Sequence, residues 1–237
     1  MTAFAPADEP LVIFDSDGVL VDSEAISTPI LARMLCELGL DYSPARCYER
    51  FTGLSNETFR RLVAEELDRD LPDDFAGRYR SAVADAFRRR LRPIPGVVDA
   101  LDRLQADVCV ASSASVEKVR LVLGITGLLD RFEPHVFGAE HVARGKPDPD
   151  VFLHAACALG REAYACVGVE DSVPGVIACR AAGMSVAGYA AAADADALER
   201  AGAVTFDDMG VLPELVERLL RDGSARTAGR GRRRELA

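Results

Sequence analysis

Two carboxylates two residues apart, Asp15 and Asp17, close a short apolar run and are followed at once by Gly18. Acids also cluster at Glu170-Asp171, just after the apolar segment CVGV, and a lone lysine, Lys146, lies in the proline-braced loop GKPDPDVF. Ser112 and Ser113 end a third apolar run, VCVA. Like charges brought close together repel unless a cation joins them. A cluster of carboxylate oxygens suits a hard cation, above all Mg²⁺. A lysine and hydroxyl groups beside such a metal suit the oxygens of a phosphoryl group. The residue types therefore point to metal-assisted handling of phosphate, provided that the fold gathers them at one place.

The elements that must do so are legible in the hydrophobic pattern. Leu11 to Asp15 reads as a buried parallel strand, and residues 108–112, 166–170 and 185–189 read the same way. Short strands are expected around Val136 and over 203–206. Between these runs, amphipathic spacing predicts helices near 97–105, 116–123, 150–159, 174–182, 195–201 and 212–220. Strands alternating with helices imply right-handed crossovers and a parallel sheet covered on both faces. Residues 25–91 break the alternation. Ile26, Ile30, Met34 and Leu38, then Phe59, Leu62 and Val63, then Phe75, Tyr79, Val83 and Phe87 mark three helices with no strand between them. The expected organisation is a core from 1–24 and 92–220, an all-helical insertion at 25–91, and a tail at 221–237. In open α/β sheets ligands bind beyond the carboxyl ends of the strands. Asp15, Asp17, Ser112, Ser113, Lys146, Glu170 and Asp171 all fall at that edge.

The composition sets the remaining bounds. The chain has 237 residues, 49% of them apolar and 28% charged, with a net charge of −10. Six arginines after residue 220 against Asp222 and Glu235 put +4 on the tail, leaving −14 on the rest. An acidic body argues against nucleic acid as a partner. The tail RTAGRGRRRELA has almost no apolar residues and is expected to be disordered. No apolar run reaches the length of a membrane span, and the first ten residues do not pattern as a secretory signal. Six scattered cysteines without a CxxC pair read as reduced, buried small hydrophobes of a cytoplasmic protein.

Four segments, in order, carry a resemblance to the haloacid dehalogenase superfamily. FDSDGVLVDSE (14–24) resembles its first motif and VCVASS its second. GKPDPDVF resembles the third, and VGVEDSVPGVIACRAAGM (167–184) the fourth. The resemblance implies an α/β fold, a Rossmann-like doubly wound parallel sheet with an inserted helical cap like that of β-phosphoglucomutase and many sugar phosphatases. It also implies roles. Asp15 would be the nucleophile that forms an aspartyl phosphate, and Asp17 the general acid and base. Ser112 and Lys146 would hold the phosphoryl oxygens, with Ser113 beside them and backbone amides near Ser16 and Gly18 in the cradle. Asp15, the carbonyl of Asp17 and Asp171 would bind Mg²⁺, with Glu170 in or next to the shell.

Asp17 separates phosphoryl transfer from dehalogenation, which needs neither a second acid there nor a metal. A phosphosugar mutase of the β-phosphoglucomutase kind is the alternative. It uses a histidine and an arginine where this sequence has Ser27 and Asn56. Residues 24–92 contain no lysine, which argues against phosphonate hydrolysis through a Schiff base. The helical insertion would serve as the lid that excludes water. Within it the loop TGLSNET is expected to bring Gly53, Ser55 and Asn56 to the substrate. The expected partner is a small phosphorylated metabolite, a sugar phosphate or sugar-acid phosphate, bound by a monomer or a weak homodimer without nucleic acid or membrane.

Overall fold

The computed structural model describes residues 9–51 and 56–234. Six parallel strands form one sheet: β1 (Leu11–Phe14), β2 (Asp107–Ala111), β3 (Val136–Phe137), β4 (Cys166–Glu170), β5 (Ser185–Tyr189) and β6 (Val204–Phe206). Their spatial order is β3-β2-β1-β4-β5-β6. The first strand is therefore central, flanked by β2 and β4, and the strand order reverses beside it. That reversal opens a crevice at the carboxyl ends, where α/β sheets take ligands. Residues of β1 are fully buried, as continuous apolar strands covered on both faces must be.

In the sheet-bearing part, the helices are α5 (Val97–Arg103), α6 (Val116–Thr126), α7 (Asp150–Ala158), α8 (Val173–Ala181), α9 (Ala195–Ala201) and α10 (Leu212–Arg234). Leu11 and Ile13 share one buried cluster with Val151, Phe152 and Ala155 of α7 and with Val176 and Cys179 of α8. The alternate residue Phe14 meets Phe132 edge to face, with ring centroids 5.9 Å apart. Helix α10 packs on β4 and β5.

The chain divides into two compact units, one made of Met1–Val21 with Pro93–Ala237 and the other of Asp22–Arg92. The second unit holds α1 (Glu24–Glu37), α2 (Pro44–Phe51), α3 (Asn56–Leu67) and α4 (Phe75–Arg90), and among the described residues it has no strand. It has its own core of Met34, Leu35, Tyr42, Cys47, Phe51, Val63 and Phe75. Helix α2 is a fourth helix where the apolar spacing indicated three. Its signal is at its start as well as in its short face, where Cys47 and Phe51, four residues apart, are both buried. Ser43 precedes a proline, and the Ser43 hydroxyl accepts from the Arg46 amide at 3.1 Å, as an N-cap does.

The last helix runs on as far as Arg234, well beyond Leu220 and into the segment expected to be disordered. Apolar periodicity stops at Leu220, but packing continues to Gly223. Gly223 is buried, and a Cβ there would lie 2.8 Å from the Tyr164 carbonyl oxygen. Alanine and arginine are strong helix formers and propagate a helix already nucleated by packing. No helix among the described residues is long and apolar enough to cross a membrane. All six cysteines are free, and two of them, Cys36 and Cys157, are exposed rather than buried. Burial pushes the Cys47 thiol up to about 11 and that of Cys166 to about 12, so both stay protonated and inert.

Candidate active site

Strand register builds the site. Phe14 is level with Val110 of β2 and Val169 of β4. One step further along, Asp15, Ala111 and Glu170 form a row across three neighbouring strands. Lys146 spans that row. Its Nζ donates to Asp15 Oδ1 at 2.6 Å, to the Ala111 carbonyl at 3.0 Å and to Glu170 Oε1 at 2.5 Å. The ammonium also lies over the Phe152 ring, 5.1 Å from its centroid. The lysine side chain is 4% exposed and that of Glu170 is fully buried, so these contacts are made out of water.

Two carboxylates share one ammonium, which leaves a negative charge in a buried place. Burial raises Asp15 above the usual carboxylate range, opposed by Lys146 and reinforced by Asp17. Burial likewise pushes Glu170 up to about 7, against the pull of Lys146. Burial alone would lower Lys146, but Asp15 and Glu170 together hold it above the usual lysine range. The ammonium is therefore fixed as a cation, and the carboxylates carry the strain of the excess charge.

The turn after β1 sets the other acids. The Gly18 amide donates to the Val21 carbonyl at 2.8 Å, and the Leu20 and Val21 amides donate to the Ser16 carbonyl. Gly18 has φ +81°, and a Cβ on it would lie 2.6 Å from Asp171 Cγ. Only glycine gives both the left-handed backbone and the space that lets Asp171 approach this turn. Gly175, in the ordinary helical backbone of α8, gives Glu170 space alone: the Glu170 carboxyl group occupies the place of the missing side chain. Ser172 caps α8, accepting from the Gly175 amide at 3.1 Å, and its hydroxyl donates to Glu170 Oε2 at 3.2 Å.

Asp15, Glu170 and Asp171 bring one carboxylate oxygen each to within 4.8 Å of one another. Oxygens around an octahedral Mg²⁺ at about 2.1 Å stand roughly 3 to 4 Å apart. The donor set, all oxygen and all carboxylate, fits a hard divalent cation after a small contraction, and the uncompensated buried charge gives the reason for one. The Asp17 side chain is not in that group. Its Oδ2 accepts from Lys118 Nζ at 2.8 Å. Of the hydroxyls, Ser112 is buried at the end of β2, and its Oγ accepts from the Ala114 amide at 3.1 Å. Ser16 Oγ is buried with no hydrogen-bond partner among the described residues, an orphan that an anion's oxygen would satisfy. Ser113 is exposed next to Ser112.

The structure thus gathers Asp15, Ser16, Asp17, Gly18, Ser112, Ser113, Lys146, Glu170 and Asp171 at the carboxyl edge of β1, β2 and β4. Gly53 and Ser55 lie outside the described residues, and of Asn56 only the backbone, at the start of α3, is described. Sequence reasoning missed Lys118. Its one local signal is its place three residues after the cap Ser115, in the first turn of α6, which reads equally well as a surface lysine.

A family model described as haloacid dehalogenase-like hydrolase matches residues 10–183. The chain belongs to that family. It is similar to a 6-phosphogluconate phosphatase of Escherichia coli, 32% identical over 205 residues, covering 86% of this chain and 93% of that one. A phosphorylated carbohydrates phosphatase of Thermotoga maritima is 30% identical over 217 residues, covering 89% and 98%. Among solved structures, a putative β-phosphoglucomutase from Thermotoga maritima superposes with a TM-score of 0.74 at 26% identity, covering 89% of this chain and 99% of its own.

Proposed function

We propose that this chain is a Mg²⁺-dependent phosphatase that hydrolyses a small phosphorylated metabolite, a sugar phosphate or sugar-acid phosphate, through an aspartyl phosphate on Asp15. The observation that carries the reading is the row Asp15–Lys146–Glu170: a buried carboxylate at a strand end, facing a permanent ammonium. The phosphatase names of two relatives covered along nearly their whole length agree with it.

In this reading an Asp15 carboxylate oxygen attacks phosphorus, and the bond from phosphorus to the ester oxygen breaks. Asp17 gives its proton to the departing alkoxide. Water then attacks the phosphoryl group, Asp17 takes the water's proton, and the bond to Asp15 breaks to release phosphate. Dividing one slow hydrolysis into two displacements is what a covalent nucleophile contributes. Lys146 and the Ser112 hydroxyl hold phosphoryl oxygens, and the turn at Ser16 to Gly18 closes over a third. Asp15, Asp171 and Glu170, with the Asp17 carbonyl, would hold Mg²⁺. A cation there supplies the positive charge that offsets repulsion between a phosphate dianion and the attacking carboxylate.

Hydrolysis is preferred to phosphosugar mutation because the resemblance aligns Ser27, on α1, and Asn56, at the start of α3, with the histidine and arginine of the mutase. The test is a screen of phosphorylated sugars and sugar acids with Mg²⁺, with and without chelator, reporting released phosphate. Chelator-sensitive release that disappears in Asp15→Asn is expected. Asp17→Asn should lose about 10²- to 10⁴-fold in turnover, the usual contribution of a general acid. Full activity in Asp15→Asn, or phosphate release indifferent to chelator, would refute the reading.

A further inference from the structure

Two lysines reach the carboxyl edge of the sheet, and they do different things. Lys146 is sealed in the floor beside Asp15. Lys118 comes from the first turn of α6, 101 residues along the chain from Asp17, and its Nζ donates to Asp17 Oδ2 at 2.8 Å. The Lys118 side chain is 41% exposed and that of Asp17 is 17% exposed. A pair so open to solvent contributes little to stability. Its geometric effect is larger, because both ends are anchored to fixed backbone. The Ser115 hydroxyl accepts from the Lys118 amide at 3.3 Å, and Glu140 Oε1 accepts from the Val116 amide at 2.8 Å. These two bonds pin the first turn of α6. At the other end, Asp17 pairs with Val21 as an isolated bridge, in the tight turn that follows β1.

A carboxylate that passes a proton must stand within about 2.6–3.2 Å of the oxygen it serves. Asp17 can swing about its two side-chain torsions unless something holds it, and the Lys118 ammonium is placed to hold it. We infer that Lys118 is a positioning residue: by donating to Oδ2 it orients the Asp17 carboxyl group, so that Oδ1 gives its proton to the leaving alkoxide and, as the carboxylate so formed, takes one from the attacking water. The inference rests on the reading of Asp17 as proton carrier.

The test compares Lys118→Met and Lys118→Arg with the parent protein, using an alkyl ester (glycerol phosphate) and an aryl ester (p-nitrophenyl phosphate), both with Mg²⁺. The aryl oxygen departs as a phenolate with its electron pair and needs no proton from Asp17. Lys118→Met should lower kcat for the alkyl ester about 10- to 100-fold, the cost of a misplacement near 1 Å, with little change in KM. With the aryl ester it should still phosphorylate Asp15 at the parental rate. A burst of p-nitrophenolate should then precede slow turnover, because the second step still needs Asp17. Lys118→Arg should restore most of the alkyl rate.

Equal losses on both esters, without a burst and with a lower melting temperature, would make Lys118 merely structural. A rise in KM confined to esters whose alcohol carries an anion would make it a substrate contact. Unchanged kinetics would give it no role, and all three outcomes overturn the inference. Failure of the phosphatase reading is separate: there the parent protein itself releases no phosphate from either ester.

Discussion

The sharpest perturbation of the site is a single methyl group at Gly18. Two costs are expected of Gly18→Ala, and they can be measured apart. The first is backbone strain: at φ +81° an alanine pays about 1–2 kcal/mol for the left-handed conformation. In a domain of this size that amounts to a fall of roughly 2–8 °C in melting temperature. The second is a collision. The new Cβ would lie 2.6 Å from Asp171 Cγ, whereas carbon atoms settle at about 3.5–4.0 Å. Asp171 must therefore retreat by at least about 1 Å, its Oδ2 lying closer still at 1.8 Å, while metal sites tolerate about 0.2 Å in their ligand distances. A loss of at least about 10²-fold in kcat/KM is expected, equivalent to about 2.7 kcal/mol of transition-state stabilisation, together with a higher Mg²⁺ requirement. Gly127→Ala is the control. Gly127 lies in the same unit, at the end of α6, with φ +73° and no atom within 4 Å of the added Cβ. It should lose comparable stability and no activity. Initial rates across a Mg²⁺ titration, with thermal melts of both variants, decide the matter. If Gly18→Ala matched Gly127→Ala in rate and in Mg²⁺ midpoint, the claim that the glycine exists to admit Asp171 would be wrong.

Three further outcomes are expected. Lys146→Met leaves Asp15 and Glu170 buried without their cation and should cost about 3–5 kcal/mol as well as activity; a urea midpoint equal to the parent's would contradict the buried row. Glu170 has its carboxyl pushed up from 4.5 to about 7 by burial, so between those values the folded, metal-free protein holds a proton that the unfolded chain has released. Its stability should therefore fall as pH rises through that window and level off above it, while Mg²⁺ affinity rises as the metal displaces the proton. Melts of chelator-treated protein at pH 5.5 and 8 check this, and an identical slope in Glu170→Gln would defeat it. Ser172→Ala removes the α8 cap and should cost about 1 kcal/mol with activity largely kept; collapse of activity at an unchanged melting temperature would place Ser172 in the chemistry instead.

The sequence by itself determined the strands, the edge and the acids upon it. A buried parallel strand must be apolar throughout, so the run before Asp15 announces both the strand and the point where it meets solvent. The strand ends, with the resemblance of the four segments to the family's motifs, put Asp15, Asp17, Ser112, Lys146, Glu170 and Asp171 on one edge. Only the tertiary structure decided how they divide their labour. Glu170 was expected in or beside the metal shell; register aligns it with Asp15, so that one lysine clamps both while Glu170 still reaches the cluster. Asp17 was expected to act in proton transfer, but its partner Lys118 comes from the first turn of α6, 101 residues along the chain. Helix α10 runs on past its apolar stripe, and at Gly223 it lies close against the Tyr164 carbonyl. The physical reason is common to these cases. Burial and periodicity are local properties of a chain and can be read along it. The pairing of charges and the close approach of a carboxyl group to a missing side chain join residues far apart in sequence, and they exist only once the sheet has set its register.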